Sequence, residues 1–297
     1  MRKRLCISVC LLLLLLIPNA IYADSEPNYR LATDADFEFI AWDSPDAYDC
    51  GDLGVGYFHY IGQDGAIEIP HMIRGVPVTS YYQMFQNYDG DSLAIKSTNK
   101  NVVSVSHMFH GSWLKTLDIT KLDTSNVTNA NGFLATMYDI ECINMTGIDV
   151  SNVTNAQTMF SNCMASIIYG LADLSLTSVQ NTRAMFYNVD LEGGVIDLSC
   201  ISMSNVYDCQ YMLSGCTSTV GYARTQADAD KLNSSYEKPS TLTFIVKNPT
   251  HPNKLVLSLP KSIYTVGEAL TGTVSLERNN GSTEDVTEDC AWEVIKR

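Results

Sequence analysis

The sequence predicts a repeat solenoid with a ladder of parallel strands, and three recurring features predict it. A valine is followed six residues later by an apolar pair, in six copies. An apolar residue alternating with polar ones precedes each valine. Ser-Asn corners sit between the two.

The copies are Val78 with Met84-Phe85, Val102 with Met108-Phe109, Val127 with Phe133-Leu134, Val153 with Met159-Phe160, Val179 with Met185-Phe186, and Val206 with Met212-Leu213. Successive valines are 24, 25, 26, 26 and 27 residues apart, which is the period of one supersecondary unit. Ten residues upstream of the third to sixth valines begin the pairs Leu117/Ile119, Ile143/Met145, Tyr169/Leu171 and Ile196/Leu198. Ile67/Ile69 and Leu93/Ile95 fit the first two copies with a shift of one residue. Alternation of this kind marks a half-buried strand. Leu122, Ile148, Leu174 and Ile201 add a further apolar position, five before each valine.

No such unit can bury its apolar face alone, so neighbours must stack, and stability is shared between them. Leu117, Ile143, Leu171 and Leu198 are expected to point into one continuous core. The corners Ser125-Asn126, Ser151-Asn152 and Ser204-Asn205 suit places where side chains satisfy backbone groups as the chain leaves a strand. An antiparallel sandwich is the competing fold, but it has no need of a Met-Phe pair at a fixed offset in every unit.

These motifs resemble the BspA-like leucine-rich-repeat surface proteins. The likeness rests on residues 122–129 (Leu-Asp-Thr-Ser-Asn-Val-Thr-Asn) and their echo at 148–155. It rests also on Ile67-Glu68-Ile69-Pro70 through Gly75-Val76-Pro77-Val78-Thr79, and on the closing run from Tyr222 to Asp230. It covers about residues 55–247. The resemblance implies a leucine-rich-repeat stack on a secreted or surface-bound protein of a bacterium, or less often a protozoan, associated with adhesion and host or partner binding. Phe133-Leu134, Met212-Leu213 and the Asn-less Thr177-Ser178-Val179 depart from the pattern without breaking its polarity.

The ends complete the domain plan. Arg2, Lys3 and Arg4, the apolar run from Leu11 to Ile17, Pro18 and the small Ala23 have the order of a secretory signal peptide over residues 1–23. The run is too short for a membrane span, which needs roughly 20 apolar residues, so no transmembrane segment is expected. Residues 24–66 carry aromatics but no repeat and read as an N-terminal cap, with the solenoid and its C-terminal cap over 67–247. In that cap, Thr225 starts a short helix over 225–234 with early acidic residues Asp228 and Asp230, before a last strand from Leu242 to Val246. Residues 248–253 have linker composition. Residues 254–297 read as strands 255–259 and 273–276, with turns at Tyr264–Glu268 and Asn279–Ser282. Together with Trp292 they look like a partial all-β immunoglobulin-like module of bacterial type, about 45 residues against the ~100 of a whole sandwich.

Composition narrows the function. The chain has 19 basic and 33 acidic residues and a net charge of −14, which falls to −17 without Arg2, Lys3 and Arg4. Such a surface repels phosphate backbones, so nucleic acid is not an expected partner. Seven cysteines follow residue 23, an odd number, and no Cys-x-x-Cys occurs. Cys163 and Cys216 share a repeat position but lie two coils apart, roughly 10 Å at strand spacing, beyond disulfide reach.

No hydrolase, zinc-protease or phosphate-loop motif is present, so neither catalysis nor a cofactor is expected. His107 and His110 merely flank the core pair Met108-Phe109, a reading that outweighs a metal pair. Asn87, Asp89 and Asp91 likewise read as a loop rather than a calcium site. Asn126, Asn144 and Asn152 stand in glycosylation-type triplets, two of them generated by the repeat itself.

The expected working surface is the outward side of the strand ladder. If Leu117 and Ile119 point inward, Thr116, Asp118 and Thr120 point outward. The same rule adds Cys142, Asn144 and Thr146, then Ile168, Gly170 and Ala172, then Val195, Asp197 and Ser199. These twelve positions are expected to form one face that binds a surface protein or matrix component of a host or neighbouring cell. The alternative is the binding or spacer part of a larger exported enzyme.

Overall fold

The computed structural model describes residues 27–43, 47–191 and 194–247, together with the strand backbones Pro252–Ser258, Thr273–Arg278 and Thr283–Asp285. The expected signal peptide lies outside the described residues. The chain divides into two units, one of which is Pro27–Val246.

That unit is a parallel-strand β-solenoid of about seven turns. The segments Arg30–Leu31, Ala66–Glu68, Ser92–Ser97, Thr116–Leu122, Cys142–Asn144 and Ile167–Tyr169 form one six-stranded sheet in chain order. Val195–Asp197, Val220–Ala223 and Thr243–Val246 form a second, three-stranded parallel sheet. The alternation read from the sequence produces this pairing. Leu93, Leu117 and Ile143 occupy one register column and are all buried. Leu171 and Leu198 are buried in the same core, as are all six valines and both members of every apolar pair. Phe85 stacks on Phe109 with ring centroids 5.6 Å apart, and Phe160 on Phe186 at 5.2 Å and 7°. Leu134 and Leu213 stand where the other four coils have phenylalanine, and Leu134 interrupts the column.

The opposite side of each coil is not a strand. Between valine and Phe, the backbone alternates so that every second N–H leaves its own coil. Tyr81, Gln83, Phe85 and Asn87 donate to the carbonyls of Ser104, Ser106, Met108 and His110, at 2.8–3.2 Å. The intervening Met84, Gln86 and Tyr88 close turns onto Tyr81, Gln83 and Phe85. The same pairing continues through Thr182, Ala184, Phe186 and Asn188, which donate to Asp208, Gln210, Met212 and Ser214. This arrangement satisfies buried backbone groups without a strand. It requires two left-handed residues per coil, five and nine positions after the valine. The first column is Gln83, His107, Gly132, Thr158, Ala184 and Tyr211, and the second is Asn87, Gly111, Thr136, Asn162, Asn188 and Gly215.

Short polar side chains brace the corners where this turn column begins. Ser80, Ser104, Asn129, Asn155, Asn181 and Asp208 form a chain of parallel bridges. Asn129, Asn155, Asn181 and Asp208 each accept the N–H two residues on through the side-chain oxygen, at 3.0–3.2 Å. Asn155 also donates from Nδ2 to the Oδ1 of Asn129 at 3.1 Å, tying one coil to the next. At the Ser-Asn corners, Asn126 and Asn152 donate to the carbonyls of Lys100 and Ser125.

Both ends are covered. Phe37–Ala41, Val55–Tyr60 and Tyr48–Asp49 form an antiparallel sheet whose Phe37, Phe58 and Tyr60 join the solenoid core. At the far end, helix α1 (Gln226–Asn233) starts at Thr225, whose side chain accepts the Asp228 N–H. Asp228 lies in the first turn, as the sequence predicts, but it is buried and does more. Its carboxylate accepts the Met203 N–H at 2.8 Å and the Thr225 hydroxyl at 2.6 Å, clamping the helix to the last coil.

Beyond Val246, Pro252–Ser258 pairs antiparallel with Thr273–Arg278, which pairs with Thr283–Asp285. The first strand begins inside the segment with linker composition. Three such strands establish a small antiparallel sheet and no finer class. The turns expected at 264–268 and 279–282, and Trp292, lie outside the described residues.

Candidate functional site

The outer strand face is built as expected in two coils. Around the buried Ile143 and Met145, Cys142 and Asn144 are half-buried and Thr146 is exposed. Around Ile196 and Leu198, Val195 is exposed while Asp197 and Ser199 are half-buried. Thr116 is exposed and Thr120 half-buried. Asp118 lies on this face but is only 8 % exposed, because Ala94 and Asn144 pair on either side of it. Its carboxylate accepts the Thr120 N–H at 2.9 Å, so it braces the strand's own backbone where the register shifts rather than standing as a solvated rim charge.

The coil after Asn144 corrects the sequence reading. Ile143 pairs with Ile168 and Asn144 with Tyr169, so Ile168 packs against the core and Tyr169 takes the outer position. Eleven residues separate Ile168 from Val179, where ten separate Ile143 from Val153. Side chains alternate with period two, so one inserted residue moves the set to the other face. Gly170 and Ala172 leave the strand altogether. Gly170 turns left-handed at φ 84°, and Ala172 lies in the short 3-10 helix Leu171–Asp173. That detour also ends the six-stranded sheet, so Val195, Asp197 and Ser199 belong to the second sheet and the twelve positions are not one face.

The observed outer face of the first sheet has three columns. One is Ser92, Thr116, Cys142 and Ile167; the next is Ala66, Ala94, Asp118, Asn144 and Tyr169. The third is Leu31, Glu68, Lys96 and Lys121, in which Lys96 pairs with Glu68 at 2.9 Å. Sequence reasoning missed the third column because only Glu68 stands inside a tracked apolar pair, while Lys96 and Lys121 follow Ile95 and Ile119 beyond theirs.

The remaining candidates are structural. His107 and His110 lie side by side, ring centroids 5.4 Å apart, and contact Ser106 and Thr136. Burial holds the His110 imidazole below the usual histidine range. Asp91 pairs with Lys115 at 2.8 Å, and the Asn87 N–H belongs to the turn column. Among the described residues no three His, Cys, Asp or Glu side chains gather around a possible metal position, and no helix is long and apolar enough to cross a membrane.

Six cysteines among the described residues are free thiols. Burial pushes the Cys163 thiol up to about 12; burial, with Asp118 and Glu141 nearby, raises the Cys142 thiol as well, but Cys142 stands half-exposed on the strand face where a reagent can reach it. Only thiolate reacts with an alkylating agent. Iodoacetamide at pH 8 should therefore label Cys142 in the native chain and reach Cys163 only after denaturation, as read by peptide mass mapping. Equal labelling of both in the native chain would contradict this placement.

The geometry defines a parallel β-solenoid whose strands form two sheets. Residues 79–193 and 143–223 match a family described as Mycoplasma protein of unknown function, DUF285. The two matches overlap, as a repeat aligned in two registers does. Nothing matches the chain among the curated proteins or the solved structures.

Proposed function

We propose that the chain is an exported or cell-surface leucine-rich-repeat protein that mediates adhesion or macromolecular binding. Its expected partner is a surface protein or matrix component of a host or neighbouring cell. The observation that supports this reading is the outer face of the six-stranded sheet: adjacent columns of side chains, small or polar in the middle and charged along one side. Extended faces of this kind serve solenoids as binding surfaces for other macromolecules. The leader-like N-terminus and the acidic balance support an exported setting. An immunoglobulin-like character for the C-terminal sheet belongs to the same proposal.

The test uses exposed positions that the core does not need. Thr116→Arg and Lys121→Glu should weaken adhesion of the purified chain to cells or immobilised matrix proteins, with the thermal midpoint unchanged. Ile168→Glu is unsuited to this purpose, because Ile168 packs on the core. Loss of adhesion on changing the turn column, with no effect of either strand-face variant, would assign binding to the other side.

A further inference from the structure

The last coil ends in a cleft that the strand-face reading does not use. It lies on the turn-column side, has a volume of about 530 Å³, and is lined by Tyr207, Asp208, Cys209, Gln210, Lys231, Ser234, Ser235 and Tyr236. Tyr207 is 76 % exposed and Tyr236 57 % exposed, large aromatic surfaces left in water on both contributing segments. The Tyr236 ring is held from behind. Tyr236 meets Tyr211 edge-to-face at 5.2 Å, and the Arg183 guanidinium lies 5.4 Å from the centroid of the Tyr211 ring.

The charges of the cleft are already committed. Lys231 donates from Nζ to the carbonyls of Met203 and Val206, at 2.8 and 2.5 Å. Arg183 donates to Gln210 Oε1 at 2.7 Å and lies 3.6 Å from Asp208. The Asp208 carboxylate accepts the Gln210 N–H at 3.0 Å. The lining holds one cation, Lys231, and one carboxylate, Asp208, so the cleft carries no net charge to select an anion. What remains for a ligand are the Gln210 amide nitrogen as a donor, and the Ser234 and Ser235 oxygens and the Asp208 carboxylate as acceptors. The Cys209 N–H stands where every earlier coil donates to the next, and here no further coil follows.

Exposed aromatic rings beside short-range donors and acceptors, without a net charge, suit an uncharged polyhydroxylated ring. Its C–H face packs on a tyrosine, whose face is electron-rich, while its hydroxyls both donate and accept. We propose that this cleft is a binding site for a neutral oligosaccharide, with Tyr207 and Tyr236 as stacking platforms and Asp208 and Gln210 as hydroxyl partners. The site is independent of the strand face.

The test is calorimetric titration of the full chain with cello-, malto-, manno- and chito-oligosaccharides, and with sialylated and sulfated ones. At least one neutral series should bind. Tyr207→Ala and Tyr236→Ala should each weaken it at least about tenfold. Trp113→Ala, an exposed aromatic elsewhere on the solenoid, should leave it unchanged. Tyr207 is largely exposed, so Tyr207→Ala should keep the wild-type melting curve, and Tyr236→Ala, which loses one edge-to-face contact, should still unfold in a single cooperative transition. No binding of any neutral series at about 10 mM, a preference for the anionic sugars, or binding indifferent to both tyrosine variants would overturn the proposal.

Discussion

Replacing Phe160 with alanine should destabilise the solenoid by about 3–5 kcal/mol, read by chemical denaturation. The ring is fully buried and lies parallel to Phe186 in the next coil, with centroids 5.2 Å apart. Removing it costs the transfer free energy of a phenyl group and leaves a cavity that the parallel coils cannot close, since their spacing is fixed by backbone hydrogen bonds on both sides. Phe160 N–H donates to Met185 O at 2.9 Å, and Leu134 N–H donates to Met159 O at 2.8 Å, so the backbone is pinned above and below. A loss under about 1 kcal/mol would mean that Phe160 is not a core residue. Because coils depend on their neighbours, the unfolding midpoint of the whole array should shift as one transition.

Gly170→Val should cost about 3 kcal/mol, combining left-handed strain with overpacking. Gly170 has φ 84°, and a Cβ there would stand 2.8 Å from Thr146 Cα and 2.9 Å from Thr146 N. Both obstacles are backbone, so neither rotates away. Gly147 supplies the control: its φ is 81°, but a Cβ would meet nothing within 4 Å. Gly147→Val should therefore show the conformational cost alone, roughly 1–2 kcal/mol. Equal losses at the two glycines would mean that Gly170 does not press on the preceding coil, and the register around Tyr169 would need revision.

The Gly170 region also marks where sequence reading stopped working. Ile167, Ile168 and Tyr169 are all apolar, so alternation gives no phase there, and the offset from Val179 was the only guide. The inserted residue made that guide wrong by one. In Thr116–Leu122 and Cys142–Asn144 the polar partners Asp118, Asn144 and Thr146 fixed the phase, and the structure agrees. Asp118 illustrates a different limit. Its face was legible, but its burial depends on Ala94 and Asn144 in neighbouring coils, which no single strand specifies.

The sequence by itself determined the period, the parallel stacking, the valine and Met-Phe core columns, and the Thr225 cap of the closing helix. Each follows from apolar residues at fixed spacing or from a local capping group. The second left-handed column, which the sequence analysis did not identify, does have asparagine or glycine at every position but Thr136, residues that tolerate that conformation. Only the tertiary structure decided the first. Gln83, His107, Thr158, Ala184 and Tyr211 have no common preference for positive φ; they adopt it because the neighbouring coil's carbonyls must be met by every second N–H. The same holds for the cleft at the end of the array. Tyr207 and Tyr236 lie on separate segments, and α1, clamped by Asp228 onto Met203, is what carries the second toward the first. Stacking interactions between coils, rather than the pattern within any one of them, set those positions.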